Sequence, residues 1–199
     1  MSVDMSLVKK LREETGIGIL ECKKAIMEAN NEFDKAVEIL RKKGFEKAKS
    51  KASRETKQGS TGSYIHTNGK IGVLLELGCE TDFVAKNEDF LALMKDLTMQ
   101  VAAMDPQYIS QEHIPGEIIE KEKDIYREQM KSSGKPDNII EKIVEGKLKK
   151  YYSEVCLVNQ VFFKEDKTTI EDLITEKIHK LGENIIVKRF VRYQVGEEF

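Results

Sequence analysis

Tryptophan is absent from this sequence and proline occurs only three times, so little in it interrupts regular structure. No apolar run approaches the ~18–20 residues that a membrane-spanning helix needs, so no membrane association is expected. The segment Met1-Ser2-Val3-Asp4-Met5-Ser6 lacks a basic stretch followed by an apolar one, and no secretory signal is expected. The three cysteines, Cys22, Cys79 and Cys156, are far apart and odd in number. They make neither a disulfide framework nor a metal-ligand cluster, and reduced thiols in a cytosolic, cytoplasmic protein are expected. His66, His113 and His179 are isolated from one another, so no metal site is expected. Gly16-Ile17-Gly18 begins like a dinucleotide fingerprint. It lies between two helical patterns, however, and Glu21 stands where the third glycine belongs. There is no Gly-x-x-x-x-Gly-Lys-Ser/Thr loop and no nucleophile with an evident base. The expectation is a non-enzymatic protein that needs no cofactor and works by binding.

What is present is charge and amphipathic pattern. Hydrophobic residues make up 40% and charged residues 34% of 199 residues, enough for a packed core under a highly charged surface. Residues 1–57 carry 14 Lys/Arg against 10 Asp/Glu, and the remainder 19 against 25. Arg41 to Lys57 holds eight basic residues opposed only by Glu46 and Glu55. Such a stretch suits RNA phosphates, an acidic protein surface or a solvated helix face. No aromatic stacking pattern accompanies its lysines, so direct nucleic-acid binding is not expected.

Residues 5–44 read as three short helices. Ser6 caps the first and Gly16 stops it; Ile19, Cys22, Ile26 and Ala29 stripe the second. Asn30 and Asn31 break the chain, and Asn31 caps a third helix that ends at Gly44. Residues 45–62 read as a basic helical extension running into a flexible linker. Asn68-Gly69 between two β-prone runs marks a hairpin. Asn87 caps a helix carrying Phe90, Leu93, Met94, Leu97 and Val101. Helical patterns return at 117–131 and 138–156. Thr168 and Glu171 form a capping box for a helix ending near Gly182. Alternation from Ile185 to Val195 reads as a half-buried strand. The class is therefore α+β. Residues 1–57 form a small three-helix N-terminal domain with its extension, and 58–199 an antiparallel-sheet core with packed helices.

Between the hairpin and the Asn87-capped helix lies Thr81-Asp82-Phe83-Val84-Ala85-Lys86-Asn87. On the residues alone, Thr81 caps a turn and Phe83 either folds into the core or is presented to a partner. This segment resembles the signature of the elongation factor Ts family, the guanine-nucleotide exchange factors for elongation factor Tu. Leu11-Arg12-Glu13-Glu14-Thr15-Gly16-Ile17-Gly18 and Cys22-Lys23-Lys24-Ala25 resemble that family's N-terminal signature. Glu141 to Leu148 and Lys180-Leu181-Gly182-Glu183-Asn184-Ile185 resemble its later blocks. The family often has Gln-Pro-Phe where this chain has Gln160-Val161-Phe162.

The resemblance implies a translation factor whose ubiquitin-associated-like N-terminal domain docks on the nucleotide domain of GDP-bound elongation factor Tu. Thr81, Asp82, Phe83 and Val84 would form the partner-binding tip. Phe83 would insert between partner helices, and Asp82 would disturb the groups that hold the nucleotide's magnesium. GDP then leaves and GTP reloads. Gly16, Ile17, Gly18 and Lys23 are the implied secondary contact. The chain's length resembles the short members of the family, which implies a homodimer.

Overall fold

The computed structural model describes residues 3–131 and 135–197. Among them the chain forms eight α-helices and two small sheets, a mixed α+β fold. It divides into two compact units. One comprises Met1–Gly62, Leu75–Lys95 and Asp172–Lys188; the other comprises Ser63–Leu74, Asp96–Glu171 and Arg189–Phe199.

The first unit opens with a bundle of α1 (Met5–Thr15), α2 (Ile19–Glu28) and α3 (Phe33–Lys51). Val8, Leu11, Cys22, Ile26, Ala36 and Leu40 close its core at helical spacing. Three details differ from the sequence reading. Asp4, not Ser6, caps α1, because its Oδ1 accepts from both the Ser6 amide (2.8 Å) and the Ser6 hydroxyl (2.6 Å). Asn31 does not cap α3; it turns the chain at φ 63° while its Oδ1 accepts from the Asp4 amide at 2.9 Å. Nor does Gly44 end α3. It is buried in mid-helix, where a β-carbon would lie 3.5 Å from His179 Nδ1, so a small residue there admits α8 (Ile170–Leu181).

The main sheet has strand order β1-β2-β5, from β1 (Gln58–Ile65), β2 (Ile71–Cys79) and β5 (Ile186–Gln194). The expected linker Gly59-Ser60-Thr61-Gly62 is part of β1. Gly59, at φ 148°, lies so close to the Leu77 carbonyl that a side chain is excluded. Asn68-Gly69 makes the expected turn, with the His66 amide donating to Ile71 O at 2.9 Å. The Val195 amide donates to Lys70 O, so β5 runs antiparallel to β2. Val73, Leu75 and Leu77 point to the buried face of the sheet. In β5 the phase changes along the strand: Val187 is buried, whereas Val191 and Tyr193 are exposed.

The second unit is built on α5 (Glu88–Met104, which begins in the first unit), α6 (Gly116–Lys131) and α7 (Asp137–Val155). The last two pair, with the Arg127 guanidinium donating to both oxygens of Glu141 at 2.8 and 3.1 Å. A second sheet pairs β3 (Val161–Phe162) with β4 (Glu165–Thr169). Thr168 lies inside β4, so the helix it was expected to cap begins only at Ile170. Two fully buried glutamines organise this region. Gln100 Nε2 donates to Gln160 Oε1 and to Val161 O, both at 3.1 Å, while Gln100 Oε1 accepts from the Phe163 amide at 3.0 Å. Gln160 sits at φ −69°, ψ 146°, the extended conformation that a residue preceding proline also takes. The backbone before Val161 thus has the conformation that the proline expected there from the resemblance would also require.

Candidate functional site

β2 ends at the buried Cys79, whose Sγ donates to Thr81 O at 3.1 Å; burial pushes its thiol pKa up. Asp82–Ala85 then form a single helical turn, α4. Four residues are too few to hold a helix by themselves. The turn is held from outside. Glu183, in the loop between α8 and β5, accepts through Oε2 from the Thr81 amide (2.9 Å) and the Glu80 amide (3.1 Å), and through Oε1 from the Thr81 hydroxyl (2.6 Å). Thr81 Oγ1 also accepts from the Val84 amide at 3.4 Å, the expected N-cap. On the far side Ala85 is buried, and its carbonyl accepts from the Ser60 hydroxyl at 3.3 Å.

The turn does not fold Phe83 into the core. Phe83 is 82% exposed, the highest value of any large hydrophobic side chain among the described residues. Asp82 beside it is also exposed and accepts from Lys86 Nζ at 2.8 Å. That ammonium holds the Asp82 carboxyl below the usual carboxylate range. Thr81 and Val84 are half-buried. Asn87 caps α5 as expected, accepting from the Asp89 amide at 2.8 Å. Asp89 in turn accepts from Lys180 (2.8 Å) and Lys177 (3.2 Å) on α8, and these lysines hold its carboxyl below the usual range.

The other sequence-based candidates lie at the α1–α2 junction. Gly16 ends α1 at φ 66°, with its amide donating to Arg12 O at 2.8 Å, a left-handed conformation that glycine adopts most readily. Ile17 is buried, Gly18 is the N-cap position of α2, and Lys23 is exposed one turn further along. Leu20 projects beside them at 72% exposure. A cleft of about 450 Å³ runs between this turn and the residues Lys47, His179 and Lys180. No hydrogen bond or ion pair among the described residues joins Gly16–Lys23 directly to Thr81–Val84. Lys180 lies next to Gly16 and is bonded to Asp89 in the first turn of α5.

Sequence reasoning missed the fixing residues. His179, isolated in sequence, has a side chain only 3% exposed, with Nε2 at 2.7 Å from Glu21 Oε2 and 3.1 Å from Lys47 Nζ. Lys47, aided by His179 and opposed by partial burial, holds the Glu21 carboxyl below the usual range. Arg41 pairs with Asp172 in the same seam between α3 and α8. Glu183 was visible only as one residue of a family block, with no signal of what it touches. Among the described residues, no group of three or more His, Cys, Asp or Glu is placed to hold a metal ion. No helix among them is long and apolar enough to cross a membrane.

Comparison with known proteins supplies the class: this is a translation elongation factor of the nucleotide-exchange class. The family model described as Elongation factor TS matches residues 5–197, and the chain belongs to that family. It is 56% identical over 197 residues to Elongation factor Ts of Fervidobacterium nodosum, covering 99% of this chain and 100% of that protein. It is 58% identical over 197 residues to the Elongation factor Ts of Thermodesulfovibrio yellowstonii, covering 99% and 98%. With that of Thermotoga petrophila the identity is 56% over 199 residues, covering 100% and 99%. Membership of this family implies elongation factor Tu as the partner.

Proposed function

We propose that this protein releases GDP from elongation factor Tu by pressing the Asp82–Phe83 tip against it, so that the partner's magnesium site is disturbed and GTP can reload. The observation that carries this reading is the exposure of Phe83 on a turn braced from both sides. A large apolar side chain kept in water on a fixed support is suited to burial in another protein. Asp82 adds a carboxylate whose pKa keeps it charged at neutral pH. Thr81 holds the turn, and the half-buried Val84 completes the proposed tip. The bundle within residues 1–57, read as a ubiquitin-associated-like domain of its own, makes the secondary contact through Gly16, Ile17, Gly18 and Lys23. The protein acts in the cytoplasm, where translation takes place. The test is release of labelled GDP from elongation factor Tu. Acceleration by the protein, and its loss in Asp82→Ala and Phe83→Ala, support the reading; no acceleration at micromolar concentration refutes it.

A second surface favours a homodimer. Ile65, Leu74, Val191, Tyr193 and Val195 are all exposed, and strand alternation places them on the outer face of the main sheet. The Ile65 side chain already leans over Gly72 between the strands. A second copy would cover this face. Sedimentation of the full chain should show a dimer that Leu74→Glu converts to monomer; a wild-type monomer at tens of micromolar would rule the dimer out.

A further inference from the structure

We infer that Glu183 is a positioning residue for nucleotide exchange, holding the Thr81–Phe83 tip in the one orientation in which it acts. This rests on the tip reading above and extends it to a residue that never meets the partner. Phe83, being exposed, makes little packing contact that could fix its own direction. Its orientation is inherited from the backbone on either side. On the entering side Glu80 and Thr81 offer three donors, their two backbone amides and the Thr81 hydroxyl, and one carboxylate receives all three.

The clasp is reciprocal. While Glu183 receives the Glu80 amide, the Glu80 carboxylate receives the Asn184 amide at 2.7 Å. Asn184, itself buried, donates through Nδ2 to Arg54 O at 3.0 Å and Ala52 O at 3.4 Å, and the Arg54 guanidinium stands 3.4 Å from Glu80. The node therefore ties the strand end that leads into the tip to the segment leaving α3. Hydrogen bonds to an ionised acceptor are the strong ones, and three on one carboxylate fix both position and direction. An anchor of this kind removes alternative tip conformers before the partner arrives, so a docked molecule already holds the tip in its acting orientation.

Glu183→Gln keeps the size of the side chain but leaves one acceptor oxygen and places an amide N–H₂ against the remaining donors. The partner-facing surface is unchanged. The expected result is therefore a split. The maximal rate of GDP release from elongation factor Tu falls about tenfold or more, the scale of one hydrogen bond to a charged group. The concentration for half-maximal rate stays within about threefold, because the docking surfaces remain. Amide exchange across residues 80–87, read by mass spectrometry on the free protein, becomes faster while the rest of the chain is unaltered. Should Glu183→Gln fail to fold, Glu183→Asp decides: it keeps the charge but draws the carboxylate back from the three donors, so it too slows release and loosens residues 80–87. Wild-type release rates in Glu183→Gln or, where that variant does not fold, in Glu183→Asp, or unchanged protection of 80–87, overturn the inference. If Phe83→Ala slows release and Glu183→Gln does not, the positioning role falls and the tip stands. If the wild-type protein releases no GDP, the exchange reading falls, and with it the role of Glu183 in exchange, even where residues 80–87 loosen.

Discussion

Replacing Phe83 by Ala separates function from stability more cleanly than any other substitution in this chain. Full burial of a Phe side chain is worth about 1.5–3 kcal/mol. Phe83 is 82% exposed in the free protein, so only the remaining fraction supports the fold. Truncation then removes about 0.3–0.5 kcal/mol of stability, a fall in Tm of about 2 °C or less for a chain of this size. Burial of the exposed part against elongation factor Tu is worth about 1.2–2.5 kcal/mol, so the apparent second-order rate of GDP release should fall about eight- to seventyfold. The assay is stopped-flow release of a fluorescent GDP analogue, run beside differential scanning calorimetry. A normal release rate refutes the reasoning about the tip. A fall in Tm of ten degrees refutes the premise that Phe83 stands free of the core.

Two further substitutions test how the site is held. Asp89→Asn removes the charge that Lys177 and Lys180 share, and should lower stability at pH 7 by about 1–2 kcal/mol. Because the folded-state pKa of Asp89 is lowered, its contribution is complete above the usual carboxylate range and is lost as pH falls through the folded value. Urea titrations should therefore show a deficit at pH 7 that shrinks by pH 3, and a deficit independent of pH would contradict the ion-pair account. Gly16→Ala forces a side chain into a left-handed position at φ 66°, where its β-carbon would lie 2.6 Å from Lys180 Cε. The expected loss is about 1–2 kcal/mol, seen as a lower Tm; an unchanged Tm would mean that the α1–α2 turn is not constrained as described.

Periodic segments were legible because one rule governed them. Phe90, Leu93, Leu97 and Val101 repeat at helical spacing and all are buried. Asn68-Gly69 announces its turn because few other pairs tolerate that geometry. The errors fall where a residue's role is set by a distant partner. Gly44 reads as a stop, yet tertiary packing against His179 carries α3 seven residues beyond it. Gly59 and Gly62 read as linker, yet the close approach to Leu77 is what requires glycine at 59. Gln100 sits on the apolar face of α5 without any local sign that Gln160, Val161 and Phe163 would satisfy it. At the site, Thr81 as cap and Asn87 as the next cap followed from residue type. The exposure of Phe83 did not, because a lone aromatic after a strand is compatible with core or surface, and the clasp by Glu183 spans 102 residues from Thr81.

The energies also limit what the tip does alone. Lowering nucleotide affinity ten-thousandfold requires about 5.5 kcal/mol of coupling between this protein and the nucleotide. Phe83 supplies about 1.2–2.5 kcal/mol by burial, less than half of that. The balance has to come from surfaces that engage together with the tip, and in the proposed function the bundle is one of them. Leu20 and Lys23 project from α2, while α3 is fastened to α8 through Arg41–Asp172 and through Glu21, Lys47 and His179. α8 leads directly into Glu183. Were the bundle to dock as proposed, these contacts would join it through α8 to Glu183. Coupling is reciprocal, so GDP bound to the partner weakens this protein's hold by the same factor. A tip that only added affinity would bind both states of the partner alike and exchange nothing. On the proposed reading a braced tip resists deformation, and the partner's nucleotide site is the part that has to yield.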